Sequence, residues 1–177
     1  MNQPKSHLYL TGYRGCGKST VRKLLAGRLG WPSVDLDDLI EEEAGCSIVE
    51  IFQREHEAGF RRRESEMLRS VSAMSQRIIA LGGGTILDHG NQSLIHENGF
   101  CIWLDADNAT LVRRIAGDST TADRRPALTD QPLADEVNQV MARRRPIYRA
   151  VADITVDTTD RSIDEIVDEI VSKIPGS

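Results

Sequence analysis

What the chain lacks narrows the field first. It holds three cysteines in 177 residues, Cys16, Cys46 and Cys101. The number is odd and the spacing wide, which suits neither a disulfide framework nor a zinc site and points to a reducing cytoplasm. No stretch approaches the roughly 18 consecutive apolar residues that a membrane helix needs. Residues 1–7 are polar and contain no apolar core segment, and strand-like apolar residues begin at Leu8, so no signal peptide is expected. Lysine is scarce as well: of 22 cationic side chains, 4 are Lys and 18 are Arg. The net charge of −5 speaks against a nucleic-acid or anionic-membrane partner. No exposed apolar stripe or heptad seam is evident, and a monomer is expected.

What is present describes an ordinary globular chain. Hydrophobic residues make up 40% and charged residues 28%, and the length suits one domain, residues 1–177. The arginines cluster at Arg61, Arg62 and Arg63 and again between Arg113 and Arg149. Arginine is suited to bidentate contact with carboxylate or phosphate, so an acidic protein with local arginine clusters suggests small anionic ligands.

Strand-like and helix-like segments alternate. Residues 8–11 form a short apolar run leading into glycines. Val21, Leu24, Leu25 and Leu29 then repeat at helical spacing up to Gly30 and Pro32. A second strand is expected at 33–35. Ser47 and Glu50 form a capping box for a helix carrying Ile48, Ile51 and Phe52, and Phe60, Met67, Leu68, Val71 and Met74 suit the next helix. Further strands are expected at 77–81, 100–105 and 154–157. Helices are expected around 110–115, at 133–150 with a kink at Pro146, and after the Ser162/Glu165 cap. Residues 117–131, a polar stretch, have the character of a mobile lid. The alternation predicts an α/β fold with a mostly parallel sheet covered by helices.

Three sites carry the chemistry. Residues 12–19 read Gly-Tyr-Arg-Gly-Cys-Gly-Lys-Ser, the G-x-x-x-x-G-K-[ST] phosphate loop, placed between a strand and a helix as that motif requires. Its backbone N–H groups would turn around phosphate oxygens, from Gly15, Cys16 and Gly17 to Thr20, with Lys18 on the β- and γ-phosphates and Ser19 on Mg²⁺. Asp35 and Asp37 would share one face if the second strand extends that far, one approaching Mg²⁺ and the other accepting a proton, with Asp38 facing away. Gly82, Gly83 and Gly84 follow the third strand and would let a ligand approach the backbone closely.

Arg144 completes the pattern. Val137, Met141, Arg144 and Tyr148 fall on one helix face, where a cation needs an internal carboxylate or an anionic ligand; Arg143 and Arg145 are expected in solvent. Residues 101–105, four apolar positions and Asp105, imitate a Walker B strand, but Asp35 already offers a carboxylate on the metal side.

With the loop, Asp35-x-Asp37, Gly59-Phe60-Arg61-Arg62, the triple glycine, Arg125-Pro126 and Arg144-Arg145-Pro146-Ile147-Tyr148 in this order, the chain resembles shikimate kinases over about residues 8–174. The resemblance implies a three-layer P-loop NTPase fold related to nucleoside-monophosphate kinases, with a five-stranded parallel sheet flanked by helices and a mobile lid. It implies ATP- and Mg²⁺-dependent transfer of the γ-phosphoryl group to the 3-hydroxyl of shikimate, in chorismate and aromatic amino-acid biosynthesis. Asp37 would bind the shikimate hydroxyls and act as base, and Asp35 would lie near Mg²⁺ through water. Arg61 and Arg144 would hold the carboxylate, the glycine triplet would offer backbone contacts, and Phe52 and Phe60 would line the apolar side. Arg125 would reach the phosphates from the lid, and Arg114 and Arg161 would contact adenosine. One departure is that Arg125-Pro126 is followed by Ala127 and Leu128, where two bulky apolar residues are common in the family. A kinase for another polyol acid, such as gluconate, and a non-catalytic nucleotide-binding module are the alternatives.

Overall fold

The computed structural model describes residues 7–118 and 132–175. All of the expected lid except Gly117 and Asp118 therefore lies outside the described residues, and so does Arg125. Five strands form one parallel sheet: β1 (His7–Thr11), β2 (Ser33–Asp35), β3 (Ile78–Ala80), β4 (Gly99–Asp105) and β5 (Ile154–Asp157). Their order is β2-β3-β1-β4-β5. Parallel neighbours need crossover connections, and among the described residues six helices fill these and a seventh follows β5: α1 (Lys18–Leu29), α2 (Leu36–Ala44), α3 (Ile48–Ser72), α4 (His89–Asn98), α5 (Asn108–Gly117), α6 (Leu133–Val151) and, after β5, α7 (Ile163–Lys173). No helix among the described residues is long and apolar enough to cross a membrane.

The sheet is the core. Leu8, Tyr9 and Leu10 of β1 are buried between Ile78 and Ile79 of β3 and Cys101 and Ile102 of β4. A strand covered on both faces reads as a continuous apolar run rather than an alternating one, which is what residues 8–10 and 101–104 are. Because β1 is central, the loop after it and the glycines after β3 emerge side by side at the carboxyl edge, where open α/β sheets bind ligands.

The helices follow local signals where those are strong. Both expected capping boxes are present, Ser47 with Glu50 at α3 and Ser162 with Glu165 at α7. The stripe Ile166, Val167 and Ile170 of α7 is buried, and α6 runs through Pro146. Other parts differ from expectation. Residues 36–44, to which the sequence pattern assigned nothing, form α2, capped by Asp35 with Leu36 and Ile40 buried. The two helices expected between Ile48 and Met74 are halves of α3, broken at His56, whose φ of 59° and ψ of −175° are not helical. Met74 lies beyond the helix and is exposed. A single helical turn (Thr85–Leu87) and α4 were not foreseen; Asp88 caps the latter by accepting from the Asn91 N–H.

Candidate active site

A cavity of about 460 Å³ opens at the carboxyl edge of the sheet. Arg14, Gly15, Gly17, Lys18, Ser19 and Thr20 line it from the loop and α1, and Asp35 and Asp37 from the start of α2. Ile48, Leu81, Gly82, Gly83, Arg114 and Asp118 complete the wall. Three of the sequence motifs thus converge on one space.

The loop is shaped by close approach. At Gly12, φ is +143° and a Cβ would stand 2.4 Å from the Leu104 carbonyl oxygen, so no other residue fits without displacing β4. Gly17 caps α1 in a left-handed conformation and supplies no side-chain bond. The first N–H groups of α1 are therefore left for a ligand, and a helix N-terminus favours an anion. Lys18 Nζ donates to the carbonyls of Gly12 at 2.6 Å and Tyr13 at 3.1 Å, folded over the loop where phosphates would lie. Cys16 is buried and lines none of the cavity, although its neighbours on both sides do.

Asp35 and Asp37 share the cavity for a different reason from the one expected. The strand ends at Asp35, and Asp35 Oδ1 accepts the Asp37 N–H at 3.0 Å as the N-cap of α2. The capping turn, not strand alternation, brings the two carboxylates to one side, while Asp38 is exposed. Burial, and then the nearby Asp37 and Asp38 charges, raise the Asp35 pKa above the usual carboxylate value. A cation beside Asp35 would relieve that cost. No group of three His, Cys, Asp or Glu that could hold a metal occurs among the described residues. Magnesium needs none here, since it is typically held by one or two protein oxygens, waters and substrate phosphates. Ser19 and Asp35 fit that requirement.

The glycine triplet forms the opposite wall. The Gly83 carbonyl accepts Tyr148 Oη at 2.5 Å and Arg144 Nη1 at 3.2 Å. The Arg144 guanidinium also lies 6.0 Å from the centroid of the Tyr13 ring. Among the described residues it meets a carbonyl and a ring but no carboxylate, which leaves it available to an anionic ligand. Arg61 packs against Gly84, where a Cβ would come within 2.6 Å of both terminal guanidinium nitrogens. Arg61, Gly84 and Arg144 flank the cavity beside Gly83 without lining it. Phe52 and Phe60 do not line it either; they pack on each other with centroids 4.8 Å apart, and Phe60 lies beneath Arg61. Ile48, one turn before Phe52, supplies the apolar contact instead.

On the nucleotide side, Arg114 lines the cavity and bridges the loop to the segment after β5. It donates to the Thr158 carbonyl at 2.7 Å, to Thr158 Oγ1 at 3.0 Å and to the Gly15 carbonyl at 3.4 Å. Arg161 turns away onto α7, pairing with Glu169 at 2.5 Å. Arg143 is exposed as expected, but Arg145 is held by Asp105 at 3.3 Å and by the Ala106 carbonyl. The Asp105 carboxylate of the Walker-B-like strand is thus engaged in an internal ion pair.

Several residues at the site were missed from sequence. Arg14 and Asp118 line the cavity; Glu64, Glu136 and Tyr148 brace it. Glu64 stands three residues after Arg61, a spacing at which helical side chains meet, so its pairing was legible. Glu136 lies 123 residues from its partner Tyr13, and nothing local announces that contact.

A family model described as shikimate kinase matches residues 14–175. The chain belongs to the shikimate kinase family. It is 61% identical over 156 residues to a shikimate kinase of Rhodopirellula baltica, covering 88% of this chain and 83% of that one. To a shikimate kinase of Symbiobacterium thermophilum it is 40% identical, covering 88% of each. Among solved structures, the shikimate kinase from Acinetobacter baumannii in complex with shikimate superposes with a TM-score of 0.87 at 30% identity, over 96% of this chain and 92% of that one. The enzyme from Aquifex aeolicus gives 0.80 at 33% identity, over 94% of each. The five-stranded parallel sheet and flanking helices are those of this P-loop kinase family.

Proposed function

We propose that this enzyme transfers the γ-phosphoryl group of ATP to the 3-hydroxyl of shikimate, giving shikimate 3-phosphate and ADP. The observation that carries the reading is the convergence of Lys18, Ser19, Asp37 and Gly83 on one cavity, with Arg61 and Arg144 beside the glycine triplet. The shikimate-bound relative from A. baumannii supports the choice of acceptor. Neither a kinase for another polyol acid nor a non-catalytic module is favoured by the relatives.

Phosphoryl transfer leaves little covalent work to the protein, so positioning and charge stabilisation dominate. The loop amides and Lys18 hold the ATP phosphates, and Arg125 would add a further positive charge. Arg61 and Arg144 grip the acceptor carboxylate, and the Gly82 to Gly84 backbone limits how far the ring can shift. Asp37 accepts the hydroxyl proton as the oxygen attacks. When bound through Ser19 and, by way of water, Asp35, magnesium supplies neutralisation of phosphate charge. Arg114 borders the adenosine end; Arg161 would join it only after leaving Glu169. The single-domain organisation, the lid at 117–131, a monomeric state and a cytoplasmic setting belong to the same reading, the last supported by the free thiols of Cys16, Cys46 and Cys101.

A coupled assay of ADP release with ATP and Mg²⁺, run with shikimate, with gluconate and without acceptor, tests the reading. Shikimate-dependent turnover is expected. Turnover with gluconate alone, or ATP binding without turnover on any acceptor, would overturn it.

A further inference from the structure

Glu136 stands in the first turn of α6 and is 1% exposed. An acidic residue at a helix start is usually explained by the helix dipole, but such a residue is commonly solvated. A buried carboxylate must be paired and hydrogen-bonded to persist as an anion. Glu136 Oε1 accepts Tyr13 Oη at 3.1 Å and also takes the Arg14 guanidinium in a salt bridge. Both donors are residues of the phosphate loop.

The contact continues toward the acceptor side. The Tyr13 ring is 2% exposed and lies beneath two cations, Arg14 at 5.7 Å and Arg144 at 6.0 Å from its centroid. Arg144 in turn donates to the carbonyl of Gly83, a residue that lines the cavity. A rotation of Tyr13 about its side-chain bonds would therefore move the surface on which the Arg144 guanidinium rests. The hydroxyl bond to Glu136 adds to the packing of the buried ring in fixing that rotation.

We propose that Glu136 is a positioning residue for phosphoryl transfer: by holding Tyr13 and Arg14 it sets the phosphate loop and Arg144 at the separation that in-line transfer requires. The inference rests on the reading that Arg144 binds the acceptor carboxylate. Glu136 touches neither substrate; it acts through Tyr13. Loss of its charge should weaken acceptor binding and lower kcat, and leave the affinity for ATP nearly unchanged, because the loop amides and Lys18 hold the nucleotide without it.

The test uses Glu136→Gln, Tyr13→Phe, their double variant and Arg144→Lys in the full chain. KM for shikimate and for ATP, kcat and thermal stability are measured on each. Hydrogen bonds to charged groups are strong enough that Glu136→Gln and Tyr13→Phe should each raise KM for shikimate by about tenfold. KM for ATP should stay within about twofold, since the loop amides and Lys18 still hold its phosphates. The double variant should be no worse than the poorer single one, as expected of residues acting along one path. If Glu136→Gln does not fold, Tyr13→Phe carries the same comparison. Impaired shikimate binding in Arg144→Lys, with normal binding in Glu136→Gln and Tyr13→Phe, would overturn the inference alone. Unimpaired binding in Arg144→Lys would overturn the acceptor reading and the inference together. Additive losses in the double variant, or equal losses for both substrates, would make Glu136 a structural residue and overturn the positioning role.

Discussion

Glu64 is buried in α3 and holds Arg61, three residues earlier, at 2.7 Å between Oε2 and Nη1. Its second oxygen accepts Thr85 Oγ1 at 2.5 Å, immediately after the glycine triplet. One carboxylate thus ties Arg61, the arginine proposed to hold the acceptor carboxylate, to the segment against which it packs. The arrangement restricts the guanidinium of a long side chain that retains 29% exposure.

Glu64→Gln keeps the shape and one acceptor oxygen but removes the charge. Leaving a buried partner poorly satisfied costs about 1–3 kcal/mol. The variant should unfold at lower denaturant and bind shikimate more weakly, with ATP binding preserved. Urea melts and calorimetric titrations of both ligands check this; unchanged shikimate affinity would mean that Arg61 needs no bracing.

Asp37→Asn retains the size of the side chain and its place in the first turn of α2, and removes the proposed proton acceptor. General-base contributions run at about 10²–10⁴-fold. The expected outcome is a fall of that order in kcat with little change in ATP affinity. A loss below about tenfold would assign the base role elsewhere.

Sequence carried the phosphate loop, the glycine triplet and the last helix because each depends on neighbours in the chain. Gly17 must adopt a left-handed conformation to open α1, and Ser162 with Glu165 caps α7 from three residues away. The pairing of Asp35 with Asp37 was reached by way of strand alternation, yet the real cause is a cap, equally local, that the acidic composition of 35–43 obscured. The break at His56 has one local mark that periodicity does not read: Gly59 leaves room for the Glu55 side chain, since a Cβ there would stand 2.3 Å from Glu55 Cβ, and packing of Phe52 on Phe60 accompanies the unusual backbone. Arg161 and Arg145 show a further limit. An arginine's position in sequence does not reveal which carboxylate it meets, and Glu169 and Asp105 take these two.

Stability should weaken on the acid side because of His7. Its ring is buried at the start of β1, and Nε2 lies 3.2 Å from the Ser72 carbonyl. Burial lowers its pKa, and the Arg77 charge adds to this against the opposing hydrogen bond to Ser72. The unfolded chain therefore binds the proton first. Stability is fully present above the unfolded value of about 6.5 and declines as pH falls from there through the folded value. Urea midpoints between pH 5 and 8 should show this decline, and His7→Gln, which does not titrate, should flatten it. Equal slopes for both proteins would remove His7 as the cause.

Asp35 should show the opposite sign, and it separates stability from function. Its carboxyl group is raised above the usual value by burial and then by Asp37 and Asp38. The folded state therefore binds this proton more readily than the unfolded chain. The neutral form is accommodated at no charge penalty below the unfolded pKa of about 3.9, and stability is lost as pH rises through the folded value. Asparagine is as good an N-cap as aspartate, so Asp35→Asn should keep the bond to the Asp37 N–H and the start of α2. The ligand-free variant should then melt at a higher temperature than the parent at pH 7, with the difference shrinking toward pH 4. At the same time it loses the carboxylate that is expected beside the magnesium ion. Activity should fall, and the Mg²⁺ concentration for half-maximal rate should rise. Melting curves across pH and a magnesium titration of the rate check both halves. A variant less stable at pH 7 would mean that Asp35 is stabilising as an anion, and an unchanged magnesium requirement would place the ion elsewhere.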